Sequence, residues 1–173
     1  LGGLPTEQKK IWFLSKKYKF KIIEDASHSI GAKHLNEPVG SCKWSHITIF
    51  SFHPVKIVTT GEGGIAITNK KKIYEKLLML RSHGIIKDPN LMSGKIDGEW
   101  YYQQIDLGFN YRLTDIQASL GISQLKRVDE FVKKRNKIAL YYNKHLSNLP
   151  LKLPFVKKQN YSSFHLYIIR IDR

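Results

Sequence analysis

Lys56 stands between an alternating apolar run and a glycine-rich turn. The local sequence is Ser51-Phe52-His53-Pro54-Val55-Lys56, followed by Thr59-Thr60-Gly61-Glu62-Gly63-Gly64. Upstream, Ile22-Ile23-Glu24-Asp25-Ala26-Ser27-His28 ends a second apolar run in a carboxylate, with an imidazole three residues on. Together these side chains offer a definite chemistry. A deprotonated amine condenses with a carbonyl, and a carboxylate keeps a heteroaromatic nitrogen protonated. A turn of small residues lets main-chain N–H groups approach polar ligand atoms. Such parts suit a pyridine cofactor that carries an aldehyde.

The elements that must position these groups alternate between strand and helix. Residues 20–24 form a short apolar run ending in acid, as a buried strand does, and residues 47–52 and 64–68 read as two more strands. Pro5-Thr6-Glu7 opens a helix whose apolar face carries Ile11, Leu14 and Tyr18. Residues 31–45 read as loop. Ile73, Leu77 and Leu80 mark a second helix with Gly84 as its C-cap. Residues 84–110 have little periodicity, and a loop that long is usually functional or an interface. Thr114-Asp115-Ile116-Gln117 matches a capping box, opening a helical region that runs to about Leu146 with a break expected near Gly121. Residues 164–171 read as a final strand. The alternation predicts an α/β fold with helices on both faces of a sheet.

Bulk properties narrow the class. The chain has 173 residues, 42% of them hydrophobic, which suits one ordinary globular domain with a substantial core. No apolar run approaches the roughly 18 residues of a membrane span, and no signal-peptide pattern opens the chain. Its first and last residues read as cuts within a longer protein. The single Cys42 excludes an internal disulfide. Cys42 and His46 lack the further pair that a four-ligand metal site needs, so Cys42 reads as a small core residue and no metal is expected. The net charge of +15 is compatible with nucleic acid, with an anionic substrate or cofactor, or with a lysine-rich solvated surface. The lysines lie in scattered pairs, with Lys70-Lys71-Lys72 the one triplet, which favours the solvated surface.

Taken in order, these segments resemble the DegT/DnrJ/EryC1/StrS sugar aminotransferases. The resemblance runs from Gly3-Leu4-Pro5 through Glu24-Asp25-Ala26, the Lys56 stretch, the glycine turn, Arg81-Ser82-His83-Gly84 and Leu107-Gly108-Phe109-Asn110-Tyr111-Arg112 to Ser162-Ser163-Phe164-His165-Leu166-Tyr167. Each motif alone is weak, but their order and spacing together are specific. Ser27-His28-Ser29 and the run from Trp100 to Phe109 look most like the branch that serves pseudaminic-acid biosynthesis. The family has the fold-type I, aspartate-aminotransferase-like α/β/α large domain. The resemblance therefore implies that residues 1–150 are part of that pyridoxal-phosphate-binding domain and 151–173 the start of a truncated small domain.

The resemblance also assigns roles. Lys56 matches the lysine that holds pyridoxal 5'-phosphate covalently and moves protons during the reaction. Asp25 matches the carboxylate facing the pyridine nitrogen, and His28 the side chain stacked on its ring. Ser51 matches a hydroxyl that binds the cofactor phosphate. Asn110 and Arg112 match a segment that reaches the partner subunit's site and helps hold phosphate. No role attaches to His53 or Glu62, and Trp100, Tyr101 and Tyr102 suit either a nucleotide-sugar contact or an interface. The implied protein is a cytoplasmic homodimer with shared active sites and no membrane or nucleic-acid partner. It transfers an amino group from L-glutamate to C4 of a UDP-linked 4-keto-6-deoxy sugar. Two alternatives are a deoxysugar dehydratase of the same family, which carries His where Lys56 stands, and a basic, non-catalytic nucleic-acid-binding or regulatory protein supported by charge alone. The truncated chain is expected to be weakly active or inactive by itself.

Overall fold

The computed structural model describes residues 1–171. The chain divides into two compact units: Leu1–Ile67 with the chain from Asp115 onward, and Thr68–Thr114. The last two residues of the expected 151–173 segment lie outside the described residues.

In the first unit, helix α1 (Gln8–Tyr18) ends where Lys19 takes a left-handed conformation, φ 57°. Glu7, just ahead of it, pairs with Lys10 at 3.3 Å and Lys157 at 2.7 Å. Strand β1 (Ile23–Asp25) follows, then a small hairpin of β2 (Lys33–His34) and β3 (Glu37–Pro38). Leu35 and Asn36 make the hairpin turn, at φ 51° and 64°. That is the twist a two-residue connection needs. The stretch expected to be plain loop therefore carries paired backbone, and β2 pairs on its other side with β9 (Asn160–Tyr161), far along the chain.

Strand β4 (Ile47–Ser51) is central. It runs parallel to β1, with Asp25 opposite Ile49, and antiparallel to β5 (Gly64–Ile67), with Ser51 opposite Gly64. Thr48 and Phe50 are buried while Ile49 between them is 38% exposed, the alternation a one-sided core requires. Phe50 and Phe52 pack with Ala26, Ala32, Val39 and Val58, and Ile30, Ile67 and Val128 close the cluster. Cys42 belongs to this interior: its Sγ donates to the Ile67 carbonyl at 3.2 Å.

The second unit holds α2 (Lys71–Arg81), β6 (Ile85–Ile86), a 3₁₀ turn (Pro89–Leu91) and β7 (Gln103–Gln104), with β6 and β7 antiparallel. The cap of α2 differs from expectation. His83, not Gly84, is the left-handed residue that immediately follows the cap residue Ser82. Gly84 N donates to Met79 O at 2.9 Å, the longer bond of a Schellman motif. Gly84, itself at φ 72°, lies so close to the chain that a Cβ would stand 1.9 Å from Asp106 O.

Back in the first unit, α3 (Asp115–Leu125) and α4 (Val128–Leu146) are separated at Lys126 and Arg127, not at Gly121. Gly121 stays helical because its missing side chain lets α3 approach Thr60, whose Cγ2 would be 2.9 Å from a Cβ there. Strands β8 (Leu151–Lys152) and β10 (Arg170–Ile171) pair antiparallel. Of the strand expected over 164–171, only Arg170 and Ile171 pair. Phe164 sits at φ 44°, outside any strand conformation.

Candidate active site

Because β1 and β4 are parallel, their carboxyl ends open on the same edge of the sheet, where α/β folds bind ligands. Asp25 ends β1 and Ser51 ends β4. On the opposite side of β1, the Glu24 carboxylate accepts from Thr48 Oγ1 at 3.1 Å and from Gln8 Nε2, tying α1, β1 and β4 together. This anchoring sets where Asp25 emerges.

The Asp25 carboxylate accepts twice from Ser27, from its backbone N at 3.0 Å and its hydroxyl at 2.6 Å, both on Oδ1. These bonds are the main reason its carboxyl titrates below the ordinary 3.8, with the charges of His28 and Lys56 adding to the effect. Asp25 is exposed rather than buried, unlike the buried-end carboxylate read from its place at a strand terminus. The turn after Asp25 closes with Ser29 N donating to Ala26 O at 2.7 Å. That turn presents His28, whose Nδ1 accepts from Gly2 N at 3.3 Å. Burial and the Lys56 charge hold His28 below its usual 6.5, while Asp25 opposes them.

Lys56 lies in the turn after Pro54, where its backbone N donates to His53 O at 2.9 Å. Buried Ile57 and Val58 root the segment in the core. Its ammonium forms no ion pair among the described residues. The Lys56 charge acts on Asp25, His28 and His165. The glycine turn folds back over Phe52. Phe52 N donates to Gly63 O at 2.8 Å, and Thr60 N donates to Phe52 O at 3.0 Å. Gln117 Nε2 on α3 holds the same turn through Glu62 O at 3.0 Å. Ser51 Oγ accepts from His53 N at 3.4 Å.

Asn110 and Arg112 belong to the second unit, both exposed. Their segment lies beside the end of α2: Phe109 N donates to Leu80 O at 2.7 Å, Tyr111 N to Arg81 O at 2.9 Å, and Asn110 bridges Ser82.

Sequence reasoning gave no role to His165. Its ring meets that of His28 at 4.4 Å between centroids. Its buried Nδ1 has no hydrogen-bond partner among the described residues, which costs on the order of 1–3 kcal/mol. Burial, with His28, Lys56 and Arg135 adding positive charge, pushes it down to about 4. The signal available in sequence was its place inside the motif at residues 162–167, in a stretch that reads as plain strand.

The residue types fit pyridoxal phosphate chemically: among the described residues Lys56 has no ion-pair partner and Asp25 keeps one oxygen free of hydrogen bonds, and His28 offers an imidazole ring in the turn after β1. Two clefts open in the first unit. One of about 300 Å³ is lined by residues such as Leu4, Phe155 and Ile168; another of about 220 Å³ is lined by Gln8, Glu24 and Asp25 among others. Asp25 thus borders the smaller cleft, while neither includes Lys56 or His28. Among the described residues no helix is long and apolar enough to cross a membrane.

The chain is similar to known proteins. The UDP-4-amino-4,6-dideoxy-N-acetyl-beta-L-altrosamine transaminase of Campylobacter jejuni strain 81-176 is 41% identical over 169 residues, covering 97% of this chain and 42% of its own. Among solved structures, Helicobacter pylori PseC, an aminotransferase involved in pseudoaminic acid biosynthesis, superposes with a TM-score of 0.87. It is 32% identical and covers 98% of this chain and 43% of its own. Spr1654 from Streptococcus pneumoniae, solved in a PMP-form, gives a TM-score of 0.87 at 26% identity, over 99% of this chain and 48% of its own. The chain thus spans less than half the length of these proteins, and the expected aminotransferase fold is present in part. The pattern of the DegT/DnrJ/EryC1/StrS aminotransferase family matches residues 1–173, and the chain belongs to that family.

Proposed function

We propose that the chain is the lysine-bearing part of a pyridoxal-phosphate-dependent nucleotide-sugar aminotransferase. Its substrate is a UDP-linked 4-keto-6-deoxy sugar of the pseudaminic-acid type, and its donor is L-glutamate. The observation that carries this reading is geometric: Asp25 and Ser51 end the parallel strands β1 and β4 on one edge of the sheet, with His28 three residues after the first and Lys56 five after the second. The Campylobacter and Helicobacter relatives support the sugar class.

When bound, pyridoxal phosphate supplies an electron sink and carries the amino group between the two half-reactions. Lys56 Nζ accepts the proton released from glutamate Cα and later delivers one to sugar C4, acting as general base and then general acid. Asp25 would hold the pyridine N–H, and His28 would cover the ring face. Ser51, Asn110 and Arg112 would bind the phosphate. The last two act across a homodimer interface, so each site is completed by a second copy. Glutamate leaves as 2-oxoglutarate before the sugar enters, which makes the kinetics ping-pong. The assignment of 1–150 to the large domain and 151–173 to the start of the small one belongs to the same reading, as does a cytoplasmic location.

The test uses the full-length protein. Purified with pyridoxal phosphate, it should gain visible absorbance that Lys56→Ala abolishes, and it should aminate a UDP-4-keto-6-deoxy sugar in preference to its dTDP counterparts. A colourless protein without transfer to any sugar of such a panel would overturn the reading.

A further inference from the structure

His165 belongs to no element of the proposed chemistry, yet the chain builds an elaborate support around it. Arg135 on α4 donates from one guanidinium nitrogen to Phe164 O at 3.1 Å and His165 O at 3.2 Å. Asn136 Nδ2 donates to Ser162 O at 2.9 Å. The turn they pin includes Phe164 at φ 44°, a conformation that a bulky residue keeps only when its surroundings over-determine it. On its other side this turn grips the His28 segment. Ser163 Oγ donates to His28 O at 3.0 Å, Ser163 N donates to Gly3 O at 3.0 Å, and Leu166 N donates to Gly2 O at 3.2 Å. Gly2 N in turn donates to His28 Nδ1.

The backbone of His28 and its ring nitrogen are therefore both fixed by the same structure that carries His165. The two rings meet at 4.4 Å between centroids with a 48° tilt. A bond accepted at Nδ1 leaves the neutral His28 ring with its proton on Nε2, so one tautomer and one ring plane are selected together.

We propose that His165 is a positioning residue for His28: packed against its ring and pinned by Arg135, it holds the imidazole at the angle needed to cover the cofactor. The inference rests on the pyridoxal-phosphate reading of the site. His165 touches neither cofactor nor substrate in this role and acts only through His28. Lys56 disfavours a charge on either ring, so the contact suits two uncharged imidazoles.

The experiment is a double-mutant cycle on the full-length apoprotein, read by pyridoxal phosphate affinity and by the visible circular dichroism of the bound cofactor, neither of which needs turnover. His165→Ala should weaken cofactor binding about tenfold and reduce the visible dichroism. His165→Phe, which restores a neutral ring, should recover most of both. In a His28→Ala background, His165→Ala should change affinity less than twofold. Unaltered affinity and dichroism in His165→Ala would overturn the inference, as would an equal tenfold loss in the His28→Ala background. If His165→Ala does not fold, failure of folded His165→Phe to keep wild-type dichroism would overturn it. A wild-type protein that binds no pyridoxal phosphate would instead sink the functional reading itself.

Discussion

Ser27 places both of its donors on one oxygen of Asp25, the backbone N at 3.0 Å and the hydroxyl at 2.6 Å, and Oδ2 has no hydrogen-bond partner among the described residues. The carboxylate is thus oriented by one oxygen and available through the other. This arrangement serves a turn and a ligand at once, since the bonds that close the turn also favour the ionised form that an N–H donor would meet.

Ser27→Ala keeps the backbone bond and removes the hydroxyl. At about 1 kcal/mol for one such bond, pyridoxal phosphate affinity of the full-length apoprotein should fall roughly fivefold. Asp25→Asn, which removes the charge, should cost about a hundredfold or more. Absorbance titration of the two variants checks the order; equal affinity in Ser27→Ala and wild type would mean that Ser27 does not orient Asp25.

Glu24 has the complementary task on the other face of β1. It links Gln8 on α1 with Thr48 on β4, and Thr48 also shares a hydrogen bond with Ser45 at 2.8 Å. Glu24→Ala removes the acceptor shared by Gln8 and the wholly buried Thr48, so stability should drop by about 1–3 kcal/mol. Denaturant unfolding measures this directly. A midpoint within error of wild type would show that α1 and β1 are held by packing alone.

The parts of this arrangement that sequence could reveal are those whose physics is local. Thr48, Phe50 and Phe52 alternate with Ile49 and Ser51, so β4 and its inward face follow from period and burial alone. Asp25 and Lys56 stand out because a carboxylate and an amine end apolar runs. The left-handed conformation of Phe164 leaves no such trace, because a bulky aromatic does not advertise positive φ. The helix break shows the same limit. A glycine is the obvious place for it, but Gly121 serves close packing against Thr60, and the chain turns instead at Lys126 and Arg127, which offer no visible breaker. The support around His28 is further out of reach: Ser163 and His28 are 135 positions apart, and only the assembled fold brings them together.

Gly84 offers a test of the second unit by itself. Its φ of 72° and the 1.9 Å approach of Asp106 O to an added Cβ leave no room for alanine. Gly84→Ala should cost at least about 2 kcal/mol locally, from left-handed strain and displaced backbone. Hydrogen exchange should speed more than about tenfold at Gly84 and Phe109, whose amides donate to Met79 O and Leu80 O. Exchange as slow as wild type would mean that the chain absorbs the methyl without moving the segment that carries Asn110.

His165 should leave a signature in the acid dependence of stability. The folded chain keeps its ring neutral down to about pH 4, whereas the unfolded chain takes up a proton near the ordinary 6.5. Between those values the unfolded state binds more protons, so the contribution of His165 is complete above pH 6.5 and is lost as the pH falls toward 4. The carboxylates held below their ordinary values, Asp25 and Asp106 at 3.8 and Glu7 and Glu130 at 4.5, lose their contributions mainly at lower pH. Comparing pH 7 with pH 5 therefore weights the histidines. Over that interval the denaturant midpoint of the wild type should fall further than that of His165→Asn, which has nothing to titrate at this position. Parallel midpoints would mean that His165 protonates as readily in the fold as in the unfolded chain.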